Sequence, residues 1–400
     1  MKRQYLIRRF AIFLVGFCIP FFSVTIFFGR AWSVSILSIA IYGVTMLSLL
    51  NTVFKVGTYF GKYIYLPFYY FVFLTIINFL YYDGGDTPIV NATLFQCFLL
   101  FIFLLAHANK DANAMPICLY GIAFGCIFQS ILAIMGVGVE INPENMRLEL
   151  FEMNPNSTGI MMCIGFIIIL SEFVMRDCLH LGIWRFCFLF TAIPISATII
   201  LTASRTAVVL FVAAVIVVLF FNPVKNKIVK STIFVIGAFA LLLSAQKLMT
   251  DDNIMAARLE KSVESGDLSG RDVLWKDVTS AIMESPIWGY GETGYYGYVT
   301  KKVIGEDISP HNVFIEVMAL SGMIGLSMWM IFWFRITWSA WYCYRKAKSL
   351  LPMLMLLPIM VCLFSGQFIT VSWAYILYAY LISENEKVKS TLKNIKYEIS

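Results

Sequence analysis

A transmembrane helix needs roughly 20 mostly apolar residues, and apolar runs of that length, parted by short polar breaks, recur from Phe10 to Leu381. No other feature constrains the fold as strongly. The chain is 60% hydrophobic and 14% charged, against roughly 25% charged residues in an average soluble domain. With 35 Phe, 20 Tyr and a mean hydropathy of +0.80, it cannot fold around a water-exposed surface. A soluble enzyme, a nucleic-acid-binding domain and a secreted disulfide scaffold are excluded. Sixty percent of 400 residues is enough for about twelve spans.

The fold expected is an all-α polytopic membrane protein with about twelve transmembrane helices and one long extracytoplasmic loop. The runs predict helices over 10–28, 31–50, 63–82, 90–106, 115–138, 156–175, 186–201, 206–221, 229–247 and 313–334. The last block, 350–383, is too long for one span and divides at Ser365-Gly366-Gln367. Three parts result: helices one to nine in 1–247, the loop with an amphipathic helix in 248–311, and the last three helices with a cytoplasmic tail in 312–400.

Basic residues set the orientation. With the N-terminus cytoplasmic, 20 of the 30 Lys and Arg fall on inner connections and tails, among them Arg8, Arg9, Lys55, Lys62, Lys110, Arg335, Lys346 and Lys387. Seven of the remaining ten lie at or within the long loop, and Arg30, Arg147 and Arg205 occupy short outer turns. Both ends are therefore expected inside. The basic-then-apolar start lacks a small-residue cleavage site, so the first helix is expected to be retained. All nine cysteines fall in spans or inner loops, without Cys-x-x-Cys or Cys/His metal spacing. Neither a metal nor another cofactor is expected.

Mid-span charge is scarce, which disfavours an ion-coupled transporter. The polar material gathers on the expected outer face. Asn154-Pro155 reads as a helix cap followed by proline at the first helical position, with Arg147 upstream and Asn156 just inside. Thr202-Ala203-Ser204-Arg205 is a tight turn before another helix. A lone Arg there commonly snorkels to water, although this turn holds no acidic partner. In the loop, Ser269 to Ser285 has apolar residues at helical spacing and includes Arg271 and Trp275, with Arg258 preceding it. Gly289-Tyr290-Gly291-Glu292-Thr293-Gly294 contains a G-x-G-x-x-G string, but no strand precedes it, so a dinucleotide site is rejected. Its tyrosines suit stacking on sugars, or simply a turn-rich loop. Ser309-Pro310-His311-Asn312 closes the loop at the next helix start. His311 is either a satisfied structural group or a general base, since imidazole titrates near neutral pH. Arginine clusters match phosphate oxygens with forked hydrogen bonds, so this face suggests a lipid diphosphate.

The ordered series Asn154-Pro155-Asn156, Ser204-Arg205, Arg271-x-x-x-Trp275, Pro286-Ile-Trp-Gly289-Tyr-Gly291, Pro310-His311-Asn312 and Ser321-Gly322-Met-Ile-Gly325 resembles the bacterial O-antigen ligase/polymerase family. The resemblance spans about 147–326. It implies a metal-independent, inverting glycosyltransferase in the bacterial inner membrane. Its partners would be undecaprenyl-diphosphate-linked glycan donor and acceptor, membrane lipid and a chain-length regulator, with no nucleic acid. It further implies that the essential arginines fall on Arg205 and on Arg258 or Arg271, and the essential histidine on His311. Arg147 joins them as a diphosphate contact, and Asn156, Trp275, Tyr290 and Asn312 as glycan contacts. The polymerase branch is favoured on the Asn-Pro-Asn and Ser-Pro-His-Asn strings. A ligase acting on lipid A core, and a flippase or exporter of lipid-linked glycans, stay open.

Overall fold

A computed structural model of the chain describes residues 2–22, 25–28, 32–35, 40, 43–44, 50–81, 89–141, 148–151, 153–175, 184–221, 271–295, 310–365 and 369–399. Helices dominate: α1 (Lys2–Cys18), α2 (Leu50–Leu80), α3 (Ile89–Lys110), α4 (Ala114–Ile134), α5 (Pro155–Met175), α6 (Trp184–Phe190), α7 (Ala192–Leu201), α8 (Arg205–Phe221), α9 (Arg271–Ile282), α10 (Val313–Ala347), α11 (Leu351–Ser365) and α12 (Ser372–Ile399). Two small antiparallel hairpins accompany them, β1 (Thr25–Phe28) with β2 (Trp32–Ser35) and β3 (Val139–Ile141) with β4 (Leu148–Leu150).

Among the described residues, five stretches are long and apolar enough to cross a membrane: Lys55–Leu80, Val90–Lys110, Ala114–Ile134, Pro155–Phe173 and Val313–Ala347. Cys187–Leu201, which runs across α6 and α7, and the helical Arg205–Phe221 and Leu351–Leu363 are shorter apolar stretches. Tyr65, Phe68, Tyr69, Ile76 and Phe79 on α2 and Met330, Ile331, Phe334 and Trp338 on α10 face outward. Apolar patches of this extent are not left against water. The chain is thus a largely helical membrane protein.

The expected and observed elements differ in instructive places. Helix α2 begins at Leu50, not near 63, because Lys55 and Lys62 extend a helix beyond its apolar part instead of ending it. Residues expected in the first two spans form β1 and β2, where aromatic and β-branched residues flank Gly29-Arg30. The expected 186–201 helix is broken at Thr191 into α6 and α7. Pro194 explains this, since its nitrogen has no hydrogen for the carbonyl four residues back. The break between α11 and α12 falls at Ser365, as the sequence predicts. The helix expected over 229–247 lies outside the described residues, as does most of the 248–311 loop.

Helix α5 is the hub, with 89% of its apolar window buried. Glycines let its neighbours approach closely: a Cβ on Gly159 would stand 2.6 Å from the Ala207 Cβ, and one on Gly165 2.7 Å from that of Cys126. Gly121 and Gly125, four apart on α4, receive α1 in the same way, with Cβ positions 2.2 and 2.4 Å from the Phe13 and Phe17 carbonyl oxygens.

Side-chain contacts sort the helix ends into two rims. At one rim Arg9 pairs with Asp111 at 2.7 Å, joining the first half of α1 to the α3–α4 turn. There too, Asn385 of α12 donates to Tyr63 of α2 and Ser339 of α10 at 2.8 and 3.0 Å. At the opposite rim Phe21 packs on Phe128 and Phe151, and the ends of α2 and starts of α3, α5, α8 and α10 emerge. The far ends of α8 and α10 meet where Phe221 and Tyr344 pack edge-to-face.

Candidate functional site

Three helix starts at this second rim are capped by uncharged side chains. Asn154 Oδ1 accepts from the Asn156 N–H at 2.9 Å at the head of α5. Ser204 Oγ accepts from the Ala207 N–H at 3.3 Å at the head of α8. Asn312 Oδ1 accepts from the Phe314 and Ile315 N–H groups at 3.0 and 3.3 Å at the head of α10. Each bond satisfies orphan donors of a first turn and leaves the positive end of the helix dipole at the rim.

Two groups of candidate residues form around these caps. In the first, Ser204 Oγ donates to Asn156 Oδ1 at 2.9 Å, so the α5 and α8 heads are joined side by side. Ala203 takes a left-handed conformation (φ 49°), which turns the chain sharply from α7 into α8. Arg205 is the first residue of α8 and half-buried.

The second group surrounds His311. Its backbone is also left-handed (φ 49°), sparsely populated for a residue with a Cβ. Pro310 before it and Asn312 after it are buried. The Trp275 indole N–H donates to the Pro310 carbonyl at 2.7 Å, tying α9 to this turn. Helix α9 packs on α10 through buried Val278, Ala281 and Ile282, and exposes Lys276, Thr279 and Ser280, as its amphipathic pattern predicts.

The glycine string is a clamp on α10. The Tyr290 N–H donates to the Ala319 carbonyl at 2.8 Å and the Met323 N–H to the Pro286 carbonyl at 2.8 Å. Gly289 (φ 71°) and Gly322 (φ 58°) sit where these backbones cross. A Cβ on Gly322 would lie 2.3 Å from the Ile287 carbonyl. Gly322 is also where α10 departs from helical geometry. Tyr290 is buried; its hydroxyl donates to the Ala281 carbonyl at 2.8 Å and its ring tilts against Tyr81.

Residues 190–330 match the model of the O-antigen ligase family. That is about a third of the chain, and it takes in the Ser204-Arg205 turn, α9, the glycine clamp and His311. The Asn154–Asn156 cap lies outside it. An uncharacterized protein of Haemophilus influenzae is 26% identical over 281 residues, 64% of this chain and 67% of that protein. These findings support a membrane enzyme similar to O-antigen ligases, a class whose substrates are lipid-linked glycans.

Of the residues singled out in the sequence, Arg147 and Arg258 lie outside the described residues. Arg271 is the first residue of α9. Tyr290 and Trp275, expected as glycan contacts, both spend a polar atom on backbone carbonyls within the fold. Sequence reasoning missed three residues. The buried Glu292 carboxylate accepts from the Val90 and Asn91 N–H groups at 2.7 and 3.1 Å and so caps α3. Asn78 accepts from the Glu292 N–H. Glu316 is 2% exposed, one turn into α10, and its Oε2 has no hydrogen-bond partner among the described residues. Burial, and then the Glu316 carboxylate, push the Tyr295 hydroxyl above its ordinary range, so this phenol stays neutral. No local pattern marks Glu292, because its partners are some 200 residues away in sequence.

Proposed function

We propose that the chain is an integral-membrane glycosyltransferase that polymerises undecaprenyl-diphosphate-linked oligosaccharide repeat units on the outer face of a bacterial inner membrane, with both termini cytoplasmic. The observation that supports this reading is that the α5, α8 and α10 heads open at one rim, with Arg205 and His311 on two of them, both within the stretch that matches the O-antigen ligase model. The opposite rim holds Arg9, Lys62, Arg335, Lys346 and Lys387, as the positive-inside rule asks of a cytoplasmic side.

The donor is a glycan on a lipid diphosphate, an already activated leaving group. The acceptor hydroxyl attacks the anomeric carbon from the opposite face. The new glycosidic bond forms as the carbon–oxygen bond to the diphosphate breaks, and the electron pair leaves on the diphosphate. Configuration inverts, and the hydroxyl proton passes to the neutral His311 imidazole. Arg205, with Arg271, Arg258 and Arg147, compensates the diphosphate charge through fixed forked donors in a partly dry site. No metal ion is needed in this scheme.

The test uses the full-length chain in nanodiscs with lipid-linked oligosaccharide isolated from cells lacking its gene. Longer lipid-linked chains and released undecaprenyl diphosphate are expected, unchanged by EDTA. The description of the matched family favours a ligase as the second reading; product that forms only on added lipid A core would select it. Movement of the glycan across the bilayer without a new glycosidic bond would overturn both.

A further inference from the structure

The turn that carries His311 is fastened on both sides. After it, Asn312 is fixed by the amides it caps. Before it, the Pro310 carbonyl is fixed by the Trp275 indole N–H at 2.7 Å. Between these anchors His311 holds a left-handed backbone. A residue with a Cβ keeps such a conformation only where its surroundings over-determine it. The Asn312 anchor belongs to α10 itself. The Trp275 anchor comes from a separate element, α9, which also begins with Arg271.

We propose that Trp275 is a positioning residue that sets the His311 imidazole through the Pro310 carbonyl. The inference rests on the reading of His311 as the base. Helix α9 spans Arg271–Ile282 and is seated on α10 by Val278, Ala281 and Ile282. Its seating sets how closely the indole meets the Pro310 carbonyl. Trp275 touches no reacting atom in this account. Its weight falls on turnover, not on affinity.

The decisive variant is Trp275→Phe, which keeps an aromatic ring and removes the N–H. In the nanodisc transfer assay kcat should fall roughly 5- to 150-fold, the range for one lost hydrogen bond that leaves a carbonyl unpaired. KM for the lipid-linked donor should stay within about twofold, because no donor contact is removed. The Trp275→Phe and His311→Ala losses should be strongly non-additive, since one acts through the other. If Trp275→Phe is lost from the membrane, 3-benzothienylalanine at position 275 keeps the shape of the indole and lacks its N–H; the same loss in kcat is expected. Unchanged kcat in a folded variant, or a loss confined to KM, overturns the proposal. If instead His311→Ala retains full turnover, the base reading fails, and this inference with it. Full loss in His311→Ala beside normal turnover in Trp275→Phe rejects the positioning role alone.

Discussion

The two rims of the helix bundle are held by different chemistry. At the basic rim, side chains mostly meet side chains: Arg9 with Asp111, Lys62 and Lys389 with Glu386, and Asn385 with Tyr63 and Ser339, although Asp111 also accepts from the Asn113 N–H and Arg335 donates to the Lys62 carbonyl. At the rim that carries His311, the Ser204–Asn156 bond apart, side chains mostly meet backbone. Asn154, Ser204, Asn312 and Glu292 cap helices, Trp275 and Tyr290 hold carbonyls, and Gly289 and Gly322 let two main chains cross. Ion pairs at a wet surface adjust to salt and pH and contribute little each. Caps and backbone crossings fix geometry and do not titrate when the cap is Asn or Ser. A rim built in the second way can hold groups at set positions, which a transfer reaction requires. The first way suits a face that only has to remain on its side of the membrane.

The largest expected effect breaks this comparison at its functional end. His311→Ala should lower glycan transfer by roughly 10²–10⁴, the usual contribution of a positioned base. Donor binding should change much less. Arg205→Ala should abolish transfer through loss of diphosphate compensation, and Arg205→Lys should restore only part, because an ammonium lacks the planar fork. Initial rates against donor concentration separate the two roles. Normal turnover of His311→Ala at saturating donor would reduce this residue to a phosphate contact or a structural turn.

The next effect concerns the scaffold. In Gly322→Ala the new methyl meets the Ile287 carbonyl at 2.3 Å, at a backbone φ of 58°. Left-handed strain and overpacking together should cost roughly 2–5 kcal/mol. A large drop in thermal midpoint or in membrane yield is expected. Ser327→Ala on the exposed face of the same helix is the control, expected near wild type. Equal midpoints for the two variants would mean that the clamp is not a scaffold element.

How far all this is legible in the sequence follows from the range of each interaction. The heads of α5 and α10 are legible because Asn154-Pro155 and Pro310-His311-Asn312 are local cap signals. Helix α9 is legible because its buried residues recur at helical spacing. The grouping of helix starts on one rim follows from counting alternating spans. What is not legible is long-range. Nothing near Tyr290 says that its ring turns inward, or that its hydroxyl reaches Ala281. The glycines of 289–294 resemble a nucleotide loop and Gly322 an ordinary span glycine until the two backbones are seen to cross. Lys55 and Lys62 look like a break between spans, yet they sit within α2. A charge ends the apolar run without ending the helix.

The smallest effect sharpens the comparison at the basic rim. Burial pushes the Asp111 carboxyl up, but hydrogen bonds from Arg9 and from the Asn113 N–H outweigh this and hold it below the usual carboxylate range. Glu386 behaves alike, with burial opposed more strongly by its bonds from Lys389 and Lys62. A carboxylate with a depressed pKa in the folded state contributes stability that is fully present above its unfolded value. That contribution is lost as pH falls through the folded value. The window therefore opens near pH 4, the unfolded range for Asp and Glu, and runs downward. Both pairs are partly exposed, so solvent screening limits each to about 1 kcal/mol or less. Asp111→Asn should lower the thermal midpoint slightly at pH 7 and flatten its fall below pH 4. The transfer rate should be unmoved, because the pair lies at the far ends of the helices from His311. If His311 is the base as proposed, the acidic limb of the rate profile should report an imidazole, and it should be the same in Asp111→Asn as in the wild type. A displaced limb in that variant would mean that the two rims are coupled and that their separation by chemistry does not hold.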